Sequence, residues 1–159
     1  MRPVQKGFTL VELLVVISII SILAVMGMVI FTNTQKNARD ARRRADIDAI
    51  DKAIEVKRTA SSGYGPVTEA DFAGGSIPAD PTPDRVYCMW TNSDPNLPPP
   101  PISGIASTWT GSTSSCPGVQ GAEAQAIFVS GMPASTVFSW TVCARLENQS
   151  GVYCRSSVQ

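Results

Sequence analysis

Histidine is absent from the 159-residue sequence. That removes the side chain that most often serves as a general base near neutral pH, and with it the Ser-His and Cys-His nucleophilic pairs and most transition-metal sites. An excess of charge of either sign is also lacking. Lys and Arg total 13, as do Asp and Glu, so no global field points to nucleic acid or to an acidic substrate. No cysteine precedes Cys88, and no CxxC occurs among Cys88, Cys116, Cys143 and Cys154, which argues against a zinc knuckle or a thioredoxin-type site. The second half of the chain has no clustered carboxylates. Together these absences exclude most catalytic chemistry: no catalytic residue, no cofactor and no metal site is expected, and the chain reads as a non-enzyme.

What is present begins with a long apolar run. Phe8 to Phe31 reads FTLVELLVVISIISILAVMGMVIF and carries one ionisable group, Glu12. As a helix rising 1.5 Å per residue it extends roughly 36 Å, enough to cross a hydrocarbon core. A domain this small could hardly surround a helix that is apolar on every face. An ordinary cleaved signal peptide would have a shorter apolar region ending in small residues. An acidic side chain in a lipid-facing helix costs on the order of 2–3 kcal/mol unless it finds a partner, although a position near the membrane end permits some snorkelling. The preceding segment MRPVQKG is short, basic through Arg2 and Lys6, and ends in Gly7. Cleavage between Gly7 and Phe8 would make Glu12 the fifth residue of the mature chain and create a cationic amine at Phe8. That amine is the natural counter-charge for Glu12 of a neighbouring chain, each charge being costly alone in lipid and satisfied in the pair.

Residues 32–60 contain no Pro or Gly and continue the helix. Ala38, Ala41, Ala45, Ala49 and Ala53, with Ile47, Ile50 and Ile54, are expected to form one apolar stripe facing a sheet. Asp40–Arg44 and Asp48–Lys52 stand at i,i+4 in the favourable orientation. Arg42, Arg43 and Arg44 are followed by Asp46, Asp48 and Asp51, which cancel the field a phosphate backbone would need, so the triplet is expected to be a solvated or inter-subunit face with no nucleic acid bound. These basic residues outnumber Arg2 and Lys6 and oppose placing the bulk of the chain outside the cytoplasm. Long domains translocate largely regardless of charge, however, and the cysteines favour the outside.

The helix is expected to end at Ser61–Pro66, where SSGYGP is rich in breakers. Residues 61–159 then read as a small antiparallel sheet domain, and the whole chain as α+β. Strands are expected at Arg85–Trp90, Ala126–Val129, Val137–Leu146 and Val152–Arg155, with a short one at Thr108–Thr110 inside a Pro-rich loop over 91–121. In Val137–Leu146 the residues Phe138, Trp140, Val142, Ala144 and Leu146 alternate with polar positions and should cover the helix. Tetraproline Pro98–Pro101 reads as a surface loop of polyproline character, and Asn148-Gln149-Ser150 as a polar hairpin turn rather than a sequon. An even number of cysteines behind a membrane segment fits two disulfides in an oxidising compartment. Four cysteines allow three pairings. A two-residue loop between the last two strands places Cys143 opposite Cys154, on the face away from Trp140, and leaves Cys88 with Cys116 to close the Pro-rich loop.

The segment KGFTLVELLVVISIISILA resembles the class III signal of type IV pilins and type II secretion pseudopilins. The resemblance covers roughly the first third of the chain. It implies that residues 1–7 are a leader, that a prepilin peptidase cuts after Gly7 and methylates Phe8, that 8–31 is the transmembrane part of the helix, and that Glu12 serves assembly. It further implies a single-pass precursor in the inner membrane with its globular domain outside the cytoplasm. That precursor would be assembled with copies of itself, an inner-membrane platform and minor subunits into a periplasmic or cell-surface filament. Many pilins carry a proline near the position of Val29, and this chain does not. DKAIEVKRTASSGYGP is similar to the helix end and following loop of major pseudopilins, and Ile77–Pro81 resembles their next loop. Major pseudopilins often bind calcium, but Asp80, Asp84 and Asp94 match no calcium loop. A pseudopilus or pilus subunit is therefore expected, with a pilin of a DNA-uptake or adhesion filament as the alternative. The latter would need a basic surface, whereas the globular half offers only Arg85, Arg145 and Arg155.

Overall fold

Unbroken helix-compatible sequence from Leu10 onward forms one 47-residue helix, α1 (Leu10–Val56). This computed structural model describes residues 7–60, 63–99, 109, 116–117, 123–127, 137–148 and 151–157, with only the backbone at Val29 and at 123–127. Among the described residues the other elements are a 3₁₀ turn, Glu69–Asp71, and four strands, β1 (Tyr87–Asn92), β2 (Glu123–Ile127), β3 (Ser139–Arg145) and β4 (Val152–Ser156). The strands form one antiparallel sheet in the order β2-β1-β3-β4. The arrangement is α+β, a long N-terminal helix packed on a small antiparallel sheet.

The helix stops short of the SSGYGP breakers. Lys57 N–H donates to the Ile54 carbonyl and Arg58 N–H to Glu55, a tightened last turn. Gly65 N–H then donates to the Lys57 carbonyl at 3.0 Å, and Thr59 N–H to Gly63 at 2.8 Å. The returning chain supplies partners for carbonyls that the helix end leaves open, so 57–60 belong to a small reversed loop and not to the helix. Tyr64 continues it, bridging to Arg58 on one side and to Val137 on the other.

Strand bounds also differ from expectation. β1 begins and ends two residues later than Arg85–Trp90, because Arg85 N–H is committed to a turn with the Thr82 carbonyl. β2 starts three residues before Ala126, and 128–129 lie outside the described residues. Of Thr108–Thr110 only Trp109 is described. Most of the Pro-rich loop, together with Pro100, Pro101, Gln149 and Ser150, likewise lies outside.

The expected stripe on α1 is half right. Ile47, Ile50 and Ile54 are fully buried and Ala53 nearly so, whereas Ala38, Ala41, Ala45 and Ala49 are exposed. The isoleucines fall at spacings of 3 and 4, and the four alanines share that period half a turn away. Burying an isoleucine removes far more apolar surface from water, about 1.5–3 kcal/mol per side chain, so the isoleucine phase faces the sheet. There it meets Tyr87 and Met89 of β1 and Trp140, Val142 and Ala144 of β3. Tyr64 closes this core edge-on to Trp140, with ring centroids 6.1 Å apart.

The other sheet face is covered too. Cys88, Trp90 and Cys143 point away from α1 and pack with Val86 and Trp109. Trp90 lies edge-to-face with Trp109 at 6.2 Å, and its Nε1–H donates to the Pro117 carbonyl at 2.7 Å. Cys88–Cys116 and Cys143–Cys154 are disulfides. The first ties Cys116 to β1, and with Trp109 it makes a second small core behind the sheet.

Candidate functional site

Among the described residues the N-terminal part of α1 packs against no other element. Every described side chain from Phe8 to Phe31 is exposed, Phe8 at 87%. The apolar window has a mean hydropathy of 3.0 with none of it buried, which rules out a core helix. Its polar groups are satisfied locally, as a lipid environment requires. Ser18 Oγ donates to the Val15 carbonyl at 2.7 Å, and Ser21 Oγ to Ile17 at 2.7 Å.

Glu12 occupies a capping box. Thr9 is the N-cap, with φ −80° and ψ 151°. Glu12 N–H donates to Thr9 Oγ1 at 3.3 Å, and Thr9 N–H donates to Glu12 Oε2 at 3.4 Å. Each side chain thus serves an amide that the helix start would otherwise leave open. The Thr-Leu-Val-Glu spacing carried this signal. Gly7 is exposed, its φ is not left-handed, and a Cβ built on it would meet nothing within 4 Å.

At the root of the protruding segment lies a buried ion cluster. Arg43, expected on a solvated or inter-subunit face, is 0% exposed. Its Nε and Nη2 grip Asp80 at 2.7 and 2.8 Å. Nη2 also reaches Thr82 Oγ1 at 2.7 Å. Nη1 donates to Asp40 at 2.9 Å and Glu147 at 2.8 Å. All five guanidinium N–H groups are engaged. Arg39 holds Glu147 bidentately at 2.9 and 2.6 Å. Asp40 accepts the Glu147 and Asn148 amides at 2.8 and 2.9 Å, and Asn148 donates to Asn37. The β3–β4 turn and the Asp80–Thr82 loop are thereby clamped onto α1 where it leaves the domain.

The expected i,i+4 pairs are corrected accordingly. The salt bridge of Asp40 is with Arg43, not Arg44. Asp48 pairs with Arg155 at 2.8 Å and accepts from Tyr153 Oη at 3.0 Å, partners on β4 that lie nearer than Lys52. The isoleucine spacing, continued back from Ile47, lands on Arg43, and that was the signal in the sequence for its burial. Asp80 and Glu147 could not be assigned to it from the sequence, since they come from distant loops. Among the described residues no three His, Cys, Asp or Glu side chains are grouped to hold a metal; Asp40, Asp80 and Glu147 converge on a guanidinium instead.

The electrostatics follow from these contacts. Hydrogen bonding from Arg39, against burial and with further help from Arg43, pulls the Glu147 carboxyl down to about 2. Burial pushes Asp40 up, but the amides of Glu147 and Asn148 and the Arg43 guanidinium outweigh it and leave the group below the usual carboxylate range. Folded pKa values below unfolded ones mean stability present above the unfolded pKa and lost as pH falls through the folded one.

Two outcomes are expected for the full chain in non-denaturing micelles. Arg43→Ala leaves three carboxylates around an empty site and should cost about 3–5 kcal/mol in denaturant unfolding, whereas Arg42→Ala, whose side chain is 68% exposed and 4.0 Å from Asp46, should change stability by less than about 0.5 kcal/mol. Unfolding midpoints followed against pH should hold above about pH 5 and fall progressively toward pH 2, with that acid limb flattened in Glu147→Gln.

Comparison with curated proteins and with solved structures gives no match. Residues 2–28 match the family model described as the prokaryotic N-terminal methylation motif, so the chain carries the class III signal of type IV pilins and pseudopilins.

Proposed function

We propose that this chain is a structural subunit of a type IV pilus-like or type II secretion pseudopilus filament, processed by a prepilin peptidase and polymerised through the N-terminal part of α1. The observation that carries the reading is a wholly exposed apolar helix whose one carboxylate, Glu12, stands five residues after a glycine that the fold does not need. A side chain would fit at position 7, so the identity of Gly7 answers to an outside reader, and a peptidase cutting between Gly7 and Phe8 is such a reader. The apolar segment needs lipid before assembly and neighbouring helices after it. Disulfides and an ion-clamped domain suit a compartment outside the cytoplasm.

In the uncleaved chain Glu12 serves Thr9. After cleavage the Phe8 amine of a neighbour offers it a full positive charge, and charge pairing in lipid would draw subunits into one register.

Mass spectrometry of the chain co-expressed with a prepilin peptidase should give a mature protein starting at Phe8 and methylated there. An intact Met1, or cleavage after Ala24, would sink the reading. Glutamine at position 12 retains a capping-box partner and removes the charge; alanine removes both. Glu12→Gln and Glu12→Ala should therefore both yield processed, membrane-bound subunits without filaments. Normal filaments from Glu12→Gln would assign the residue to helix capping instead of charge pairing.

A further inference from the structure

Three of the four cysteines occupy one row of the sheet. Cys88 faces Cys143 across β1 and β3, and Cys143 faces Cys154 across β3 and β4. All lie on the face away from α1, in or against the cluster built around Trp90 and Trp109. Cys143 thus has a cysteine on either side, each at a cross-strand separation that disulfides span. It is bonded to Cys154, while Cys88 is bonded out of the row to Cys116. Cys88 and Cys143 are fully buried, whereas Cys116 and Cys154 are half-buried.

We propose that this row is a thiol–disulfide exchange site, which accepts a small monothiol of the glutathione class at Cys116 and passes the released thiolate across the sheet to Cys154. In the first step the external thiolate attacks Sγ of Cys116, the half-buried residue of a bond whose other residue, Cys88, is fully buried. A mixed disulfide forms on Cys116, the Cys88–Cys116 bond breaks, and Cys88 leaves as thiolate. In the second step Cys88 attacks Cys143 Sγ, a Cys88–Cys143 bond forms, and Cys154 leaves as thiolate. Two S–S bonds form and two break, with no net oxidation or reduction.

The strand order supplies the geometry. Exchange requires the thiolate to approach along the axis of the bond being broken, opposite the leaving sulfur. Laying β1, β3 and β4 side by side sets Cys88, Cys143 and Cys154 in that order along a line across the strands. The result is a second disulfide isomer of the same sheet: Cys116 is released from β1, and the staple moves from β3–β4 to β1–β3.

The test uses the full chain in non-denaturing micelles, incubated with reduced glutathione at pH 8, acid-quenched, alkylated and mapped by peptide mass spectrometry. Expected are glutathione on Cys116, alkylated Cys154 and a linked Cys88–Cys143 peptide, formed at a rate independent of protein concentration. A Cys116→Ser variant starts with Cys88 reduced, and at equilibrium its free thiol should be shared between Cys88 and Cys154, each carrying at least about a tenth of the total. A free thiol confined to Cys88 in the glutathione-treated protein overturns the proposal, whether or not the variant folds. Glutathione found on Cys154 with Cys143 released overturns it too, by placing the point of attack on the hairpin bond.

Discussion

A single guanidinium organises how the two parts of this chain meet. Arg43 has no exposed surface and spends all five of its N–H donors on Asp40, Asp80, Thr82 and Glu147. Desolvating an arginine is expensive, and the expense is recovered only where good geometry and further hydrogen bonds satisfy every group. Here the carboxylates are themselves secured, Glu147 by Arg39 and Asp40 by two backbone amides. An apolar contact at this place could slide. A five-donor fork gripping two loops fixes one arrangement, and with it the direction in which the bare part of α1 leaves the domain.

The sheet is the second organising element, because its central strands β1 and β3 are buried on both faces. Residues of even and odd number alternate along β3 between the isoleucines of α1 and the tryptophan cluster behind. A short sheet against one helix would leave much apolar surface wet. The disulfide from Cys88 brings Cys116 and Pro117 over the rear face, and Trp109 packs there as well. Covalent staples thus help to supply a core that chain length alone would not provide.

Local features of this architecture were legible in the sequence, and long-range ones were not. The apolar run, the period-two pattern of β3 and the register that sets Cys143 beside Cys154 are each written within a dozen or two residues. The phase of the helix stripe was not, because Ala45 and Ala49 recur at the same period as Ile50 and Ile54, and a period does not name its face. Nor was the Arg43 cluster: Asp80 lies 37 residues away, and Glu147 lies 108 from its other partner, Arg39. The isoleucine phase points to the burial of Arg43, but nothing local in the sequence names the counter-charges that make it tolerable. The second core escaped for the same reason, resting on Trp109 and Pro117 arriving from a segment whose composition describes only a surface loop. At the candidate site, Gly7, Phe8 and Glu12 could be singled out because their signal is consecutive.

The clamp on α1 also makes the helix a lever. From Leu10 to Lys36 it extends about 40 Å beyond its fulcrum, so a tilt of about 5° at the root displaces the tip by some 3–4 Å. That is comparable to the spacing over which one ion pair is made or lost. Residues such as Asp80 and Glu147, far from the apolar tip, therefore govern where Phe8 and Glu12 arrive. Loops on the globular domain thereby set the direction of a helix whose tip lies some 40 Å away.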